Sequence, residues 1–80
     1  MEIINVISVA ITTLNGTTIE NYIGEYIHCV ILQDSVVRII FNDGKETIYI
    51  GVTAIINAKN TRLVLNEKLN DAANNNGATN

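Results

Sequence analysis

The single histidine and the single cysteine of this 80-residue chain are neighbours, His28 and Cys29, and both residue types are common zinc ligands. Their adjacency works against a shared metal ion, because adjacent side chains point to opposite faces of a strand and diverge by about 100° on a helix. A zinc site would need carboxylates or a second chain to complete it. The sequence therefore predicts that His28 lies on a solvated face and Cys29 in the core.

The sequence supports a catalytic site no better than it supports a zinc site. A nucleophilic triad could be drawn only from Ser8 or Ser35, His28 and a turn aspartate such as Asp34, and the spacing does not favour that combination. The carboxylates lie at predicted turns and strand ends, and the 5 glycines are dispersed rather than grouped in a phosphate-binding loop. We predict a protein with no catalytic residue, no metal ligand and no cofactor, and therefore not an enzyme.

Tyr22 and Tyr26 have the spacing of a binding pair. Four residues apart, they share a face on either a helix or a strand. On a surface with few charges, two tyrosines can anchor a protein partner or stack on a nucleobase. The alternative is that they close the rim of the core while their hydroxyl groups reach water. Both interpretations stay open at the level of the sequence.

The composition describes a β-rich chain whose surface carries few charges. Hydrophobic residues make up 48 % of the chain and charged residues 16 %, against about 25 % charged in an ordinary globular domain. Ile, Val and Thr branch at Cβ and suit a pleated sheet. Proline, which often protects sheet edges, is absent. We expect other subunits to cover part of so small and charge-poor a domain.

The charge balance restricts the partners and the location. A net charge of −3 with scattered basic residues argues against nucleic acid and against an anionic membrane surface. No apolar run has the length of a membrane span, and Glu2 precedes the apolar stretch 6–11 where a secretory signal would carry a cation. One cysteine excludes an internal disulfide. We expect a cytoplasmic protein or, if it is phage-encoded, one of the virion or the host cytoplasm.

Alternation and turn signals predict an all-β fold. Residues 2–14 form a long predicted strand that is apolar on both faces, so either it is covered on both sides or a bulge swaps its faces. Asn15-Gly16 predicts a two-residue hairpin turn, and Asp34-Ser35 another tight turn. Later strands are predicted at 26–33, 36–41, 46–50 and 62–66, and residues 52–58 fit either a strand or a helical turn.

Residues 18–31 fit two structures. Apolar side chains recur there at helical spacing, and Thr17 to Glu20 fits a capping box. Gly24 in the middle and the abundance of Ile, Tyr and Val favour instead a strand that ends near Ile23 and restarts at Glu25.

The predicted fold is a small, partly open barrel or sandwich of five to six strands. The alternative is an α+β fold with one helix at about 18–31. We place one β-rich domain at 1–69 and an irregular, polar, Asn-rich tail at 70–80.

Three functions fit these features. The first is a structural or accessory protein of a larger assembly, such as a phage virion, that self-associates through strand edges, with residues 3–11 of the first strand pairing across subunits. The second is a small acidic phage-type inhibitor that binds a basic surface of a host macromolecule. The third is an oligomer that holds a nucleotide-like small molecule. The residues predicted to bind a partner are Ile3, Asn5, Ile7 and Val9 in the first strand, Tyr22 and Tyr26, and Asn74, Asn75 and Asn76 in the tail.

Overall fold

A computed structural model describes residues 1–65, which form two antiparallel four-stranded sheets packed face to face as a sandwich. Sheet A has the strand order β1-β4-β5-β6 and sheet B the order β3-β2-β7-β8. The strands are β1 (Glu2–Ile3), β2 (Val6–Thr12), β3 (Thr18–Ile23), β4 (Ile27–Gln33), β5 (Val36–Phe41), β6 (Glu46–Ile50), β7 (Thr53–Ala58) and β8 (Thr61–Leu65), with a 3-10 turn at Gly24–Tyr26.

The all-β prediction is confirmed, in its sandwich form, and within residues 1–65 the sheets do not close into a barrel. The structure describes eight strands rather than five to six, because the predicted first strand is divided and residues 52–58 contain a strand. The predicted domain of residues 1–69 extends beyond the described residues. The tail at 70–80 and the partner residues Asn74, Asn75 and Asn76 lie outside them altogether.

The helix considered for residues 18–31 is wrong, and the reason is the position of Gly24. Strand β3 ends at Ile23, the 3-10 turn carries the chain from sheet B to sheet A, and β4 begins at Ile27. Gly24 lies directly against the backbone of Val6, where a Cβ atom would stand only 1.8 Å from the Val6 carbonyl oxygen. The chain can make this crossing only with a residue that has no side chain.

The predicted first strand is divided at Asn5, which has a φ of 56°. This left-handed conformation is one that asparagine tolerates better than most residues. Strand β1 pairs with β4 in sheet A, and the chain then crosses to sheet B, where β2 pairs with β3 and β7. The register of β2 against β7 shifts between Val6 and Ser8, which makes Ile7 a bulged residue. The predicted bulge is therefore confirmed, and it explains why both faces looked apolar.

Two hairpin loops share one construction. Thr13 N–H donates to the Thr17 carbonyl at 2.8 Å, and Gly16 has a φ of 97°. In the same way Phe41 N–H donates to the Lys45 carbonyl, and Gly44 has a φ of 89°. Each loop therefore holds three residues and ends on a left-handed glycine, which corrects the two-residue turn predicted at Asn15-Gly16. The predicted turn at Asp34 and Ser35 does have two residues, both with positive φ, at 53° and 65°.

The core lies between the two sheets and is almost wholly aliphatic. Burying one isoleucine or valine contributes about 1.5–3 kcal/mol, so these side chains provide most of the stabilisation that so small a domain can gather. The largest fully buried side chains are Val9 and Ile11 of β2, Val30 of β4, Val37 and Ile39 of β5, and Ile56 of β7.

We expect Gly24→Ala to lower the free energy of unfolding by about 3 kcal/mol or more, measured by urea denaturation. The added methyl group would overlap the Val6 carbonyl, and backbone atoms cannot move aside as the end of a side chain can. The matched control is Gly44→Asn, where a Cβ atom meets nothing within 4 Å and asparagine tolerates a positive φ. The control should cost about 1 kcal/mol or less, and equal losses in both variants would contradict the packing role of Gly24.

Candidate functional site

The residues that suggested metal or thiol chemistry have the exposures predicted for them. His28 is exposed, and Cys29 is buried, with only 2 % of its surface exposed, although its pairing with Ile40 places it on the outer face of sheet A rather than between the sheets. Burial raises the pKa of the Cys29 thiol, and a hydrogen bond with Glu2 raises it further, so the reactive thiolate is disfavoured. Among residues 1–65, no three His, Cys, Asp or Glu side chains are grouped so that they could hold a metal ion.

Residues 1–65 contain no helix with the length and apolar character to cross a membrane.

Tyr22 belongs to a three-ring cluster that joins the two sheets at one side of the sandwich. Its ring centroid lies 5.6 Å from that of Phe41 on β5 and 6.4 Å from that of Tyr49 on β6. The Tyr22 and Tyr49 hydroxyl groups are hydrogen-bonded to each other. Burial raises the pKa of Tyr22, and the hydrogen bond with Tyr49 adds to that effect. The cluster closes the opening between β3 and β6, which matches the rim interpretation for Tyr22.

Tyr26 is not part of this cluster. Its side chain is 61 % exposed on the 3-10 turn, because β3 ends at Ile23 before the alternation of the strand could reach it. The shared face expected from the four-residue spacing is therefore wrong. A binding role for either tyrosine stays a prediction.

The four predicted partner residues of the first strand lie in three different environments. Ile3 and Val9 are in the core, with 6 % and 1 % of their surface exposed, and Asn5 forms the crossing between the sheets. Ile7 is 59 % exposed at the bulge. Strand β2 has β3 on one side and β7 on the other. The prediction that residues 3–11 pair across subunits by strand addition is therefore wrong for β2, because its backbone groups are already bonded within the chain.

Within residues 1–65, free edges are instead found on β1, β3, β6 and β8, and three of these four strands carry protection. Strand β1 has only 2 residues. Strand β3 has Glu20 in its middle and a bulge, since its register against β2 shifts around Ile19. Strand β8 carries Arg62. Short length, bulges and charges are the ordinary devices that prevent pairing at a sheet edge.

Strand β6 lacks these devices. Its 5 residues follow β5 in unbroken register, and within residues 1–65 no strand pairs with its outer side. Its one charged residue, Glu46, forms an ion pair with Arg38 of β5, and Lys45 lies before the strand in the hairpin loop. Ile48 and Ile50 are 53 % and 74 % exposed. Among the strands that the structure describes, β6 is the edge most open to pairing.

The outer face of sheet A continues this apolar edge. Val37 and Ile39 point into the core, so the alternate residues of β5 and their partners on β4 and β6 point outward. The outward aliphatic residues are Ile31, Val36, Ile40, Ile48 and Ile50. The Arg38–Glu46 pair lies among them.

The outer face of sheet B mixes polar and aliphatic side chains. The same alternation turns Ser8 and Thr12 of β2, Asn21 of β3 and Asn57 of β7 outward, and the Asn57 amide donates to the Ser8 hydroxyl at 3.1 Å. The aliphatic residues that face the same way are Ala10, Ile23, Ile55 and Val64. Both outer faces therefore carry aliphatic side chains, and among residues 1–65 the outer face of sheet A is the one that borders the regular edge of β6. We call β6 together with the five outward aliphatic residues of sheet A the sheet A surface.

No protein-family model, no curated protein and no solved structure matches this chain. The sheet A surface is therefore the feature of the molecule that points to a function.

Tyr22→Phe is expected to lower the free energy of unfolding by about 0.5–1.5 kcal/mol at neutral pH, because Tyr49 loses its hydroxyl partner. It should also change the pH dependence. The pKa of Tyr22 is raised above the usual 10.0, so the stabilisation is complete below pH 10 and is lost above it as the unfolded chain ionises. Urea denaturation between pH 8 and 11 should therefore show a shallower decline for the variant than for the natural chain.

The matched control is Tyr26→Phe, which removes a hydroxyl group from the tyrosine outside the cluster. Its decline should follow that of the natural chain. If Tyr22→Phe declined as steeply as the control, the raised pKa of Tyr22 would be contradicted.

Proposed function

We propose that this protein is a non-enzymatic structural component that self-associates through the sheet A surface. The observation that carries the proposal is the edge of β6, which is regular, free of unpaired charge and bordered by exposed isoleucines. Edges of this kind are templates for pairing with another chain, and proteins that remain monomeric usually block them. A phage virion is one assembly of this type.

Self-association would stabilise the sheet A surface in two ways, through hydrogen bonds and through burial of apolar side chains. The unpaired backbone groups of β6 would gain hydrogen-bond partners, and Ile48 and Ile50 would leave water. Burying an exposed isoleucine contributes about 1.5–3 kcal/mol, a large amount for a domain of this size. The low content of charged residues, 16 %, supports the same proposal, since a chain built to stay alone would carry more.

Ile48→Lys is expected to convert the multimer to a monomer of 8.7 kDa, measured by multi-angle light scattering over a range of concentration. A lysine in the centre of β6 would place a cation at the pairing edge and oppose association. The matched control is Ile7→Lys, since Ile7 is similarly exposed, at 59 % against 53 %, but lies on β2. The control should keep the mass of the natural chain.

A multimer that survives Ile48→Lys but is dispersed by Ile7→Lys would move the association surface to the bulge of β2. A natural chain that is monomeric at every concentration would overturn the proposal. The acidic inhibitor would then be the function to test, through a partner whose binding weakens as salt rises.

A further inference from the structure

The free edge of β6 also determines how a second copy would dock, an inference that rests on the proposed function. Phe41 N–H donates to the Lys45 carbonyl at 2.9 Å, so the carbonyl of Lys45 points toward β5. Successive residues of a strand direct their N–H and C=O groups to opposite sides. Thr47 and Tyr49 therefore direct theirs to β5, as Lys45 does. The residues whose backbone groups are left on the outer edge are Glu46, Ile48 and Ile50.

We infer that two copies of this chain pair through β6 in antiparallel orientation about a twofold axis at Ile48. Ile48 then lies opposite Ile48 of the second copy, and Glu46 lies opposite Ile50. Each hydrogen-bonded pair in an antiparallel ladder exchanges two bonds, so the three pairs form about six. The two four-stranded A sheets become one continuous sheet, and the interface is complete with two copies.

The charges on β6 are compatible with this register. With the axis at Ile48, the two Glu46 residues are four positions apart along the strands, about 13 Å at about 3.3 Å per residue. That separation exceeds the screening length of about 8 Å at physiological salt, and each Glu46 keeps its own Arg38 partner. An axis at Thr47 would bring the two Glu46 residues within about 7 Å and leave Ile50 without a partner strand.

The same pairing brings side chains of the two copies into contact on both faces of β6. On the outward face, Ile48 and Ile50 of the two copies come together, and both side chains are exposed in the single copy, at 53 % and 74 %. On the inward face, Thr47 lies opposite Tyr49 of the second copy. The cluster of Tyr22, Phe41 and Tyr49 then changes from the rim of one sandwich to the interior of a two-copy sandwich.

The register is tested by disulfide trapping in the full chain, with Cys29→Ala removing the natural thiol. Ile48→Cys should give a covalent dimer under mild oxidation, because directly opposite residues have Cα atoms about 5.5 Å apart, within the range of a disulfide. Ile50→Cys is the matched control and should remain monomeric on a non-reducing gel, since the two thiols are about 13 Å apart along the strands. The double variant Glu46→Cys with Ile50→Cys should be trapped as Ile48→Cys is, and it replaces Ile48→Cys should that variant not fold.

Light scattering on the same reduced samples distinguishes the register of β6 pairing from self-association itself. A multimer in which Ile50→Cys is trapped and Ile48→Cys is not would overturn the register. A multimer in which neither Ile48→Cys nor the double variant is trapped would overturn pairing through β6 about this axis, and the proposed self-association would stand. A monomeric natural chain would overturn both.

Discussion

The contact between Gly24 and Val6 is the constraint on which the rest of the sandwich depends. The chain leaves sheet A at Asn5 and returns to it through the 3-10 turn at Gly24–Tyr26, and these two crossings pass each other at this point. The space there admits no Cβ atom on residue 24. Beside these crossings, β2 lies in the interior of sheet B and β4 in the interior of sheet A. Val6 and Val9 are three residues apart and would point to opposite faces of a regular strand, so the bulge at Ile7 is what directs both into the core.

The strand order determines which strands lie at the edges of the two sheets. Within residues 1–65, β2 and β4 are interior strands, and the edges are β1, β3, β6 and β8. At one side of the sandwich the edges β3 and β6 are bridged by the hydroxyl pair of Tyr22 and Tyr49, which closes the core without pairing the backbones of the two strands. The backbone of β6 therefore stays open while its inward side chains are satisfied. This is the combination that strand addition requires, because the strand is held straight by β5 and is still able to accept a neighbour.

Local chemistry accounts for the elements that the sequence predicted correctly. The alternation in residues 36–41 and 46–50 and the turn residues between them correspond to β5, β6 and their hairpin. Asp34 and Ser35 form the tight turn expected of them, since both adopt positive φ. The errors came from treating distant relations as local ones. The shared face of Tyr22 and Tyr26 assumed an unbroken element, and the edge assigned to residues 3–11 assumed that no later segment would pair with β2.

The sequence by itself determined that the chain is all-β, where most strands and turns lie, and that few charges are available to cover the surface. These properties depend on neighbours along the chain, through alternation, branching at Cβ and the φ angles that asparagine and glycine accept. Three relations came from the packing of residues 1–65 alone: β6 is a free edge among them, Tyr22 contacts Phe41 and Tyr49, and Arg38 neutralises Glu46 on the sheet A surface. These relations join residues on separate strands, and their distances are fixed by how the two sheets cross and pack, which no local pattern records.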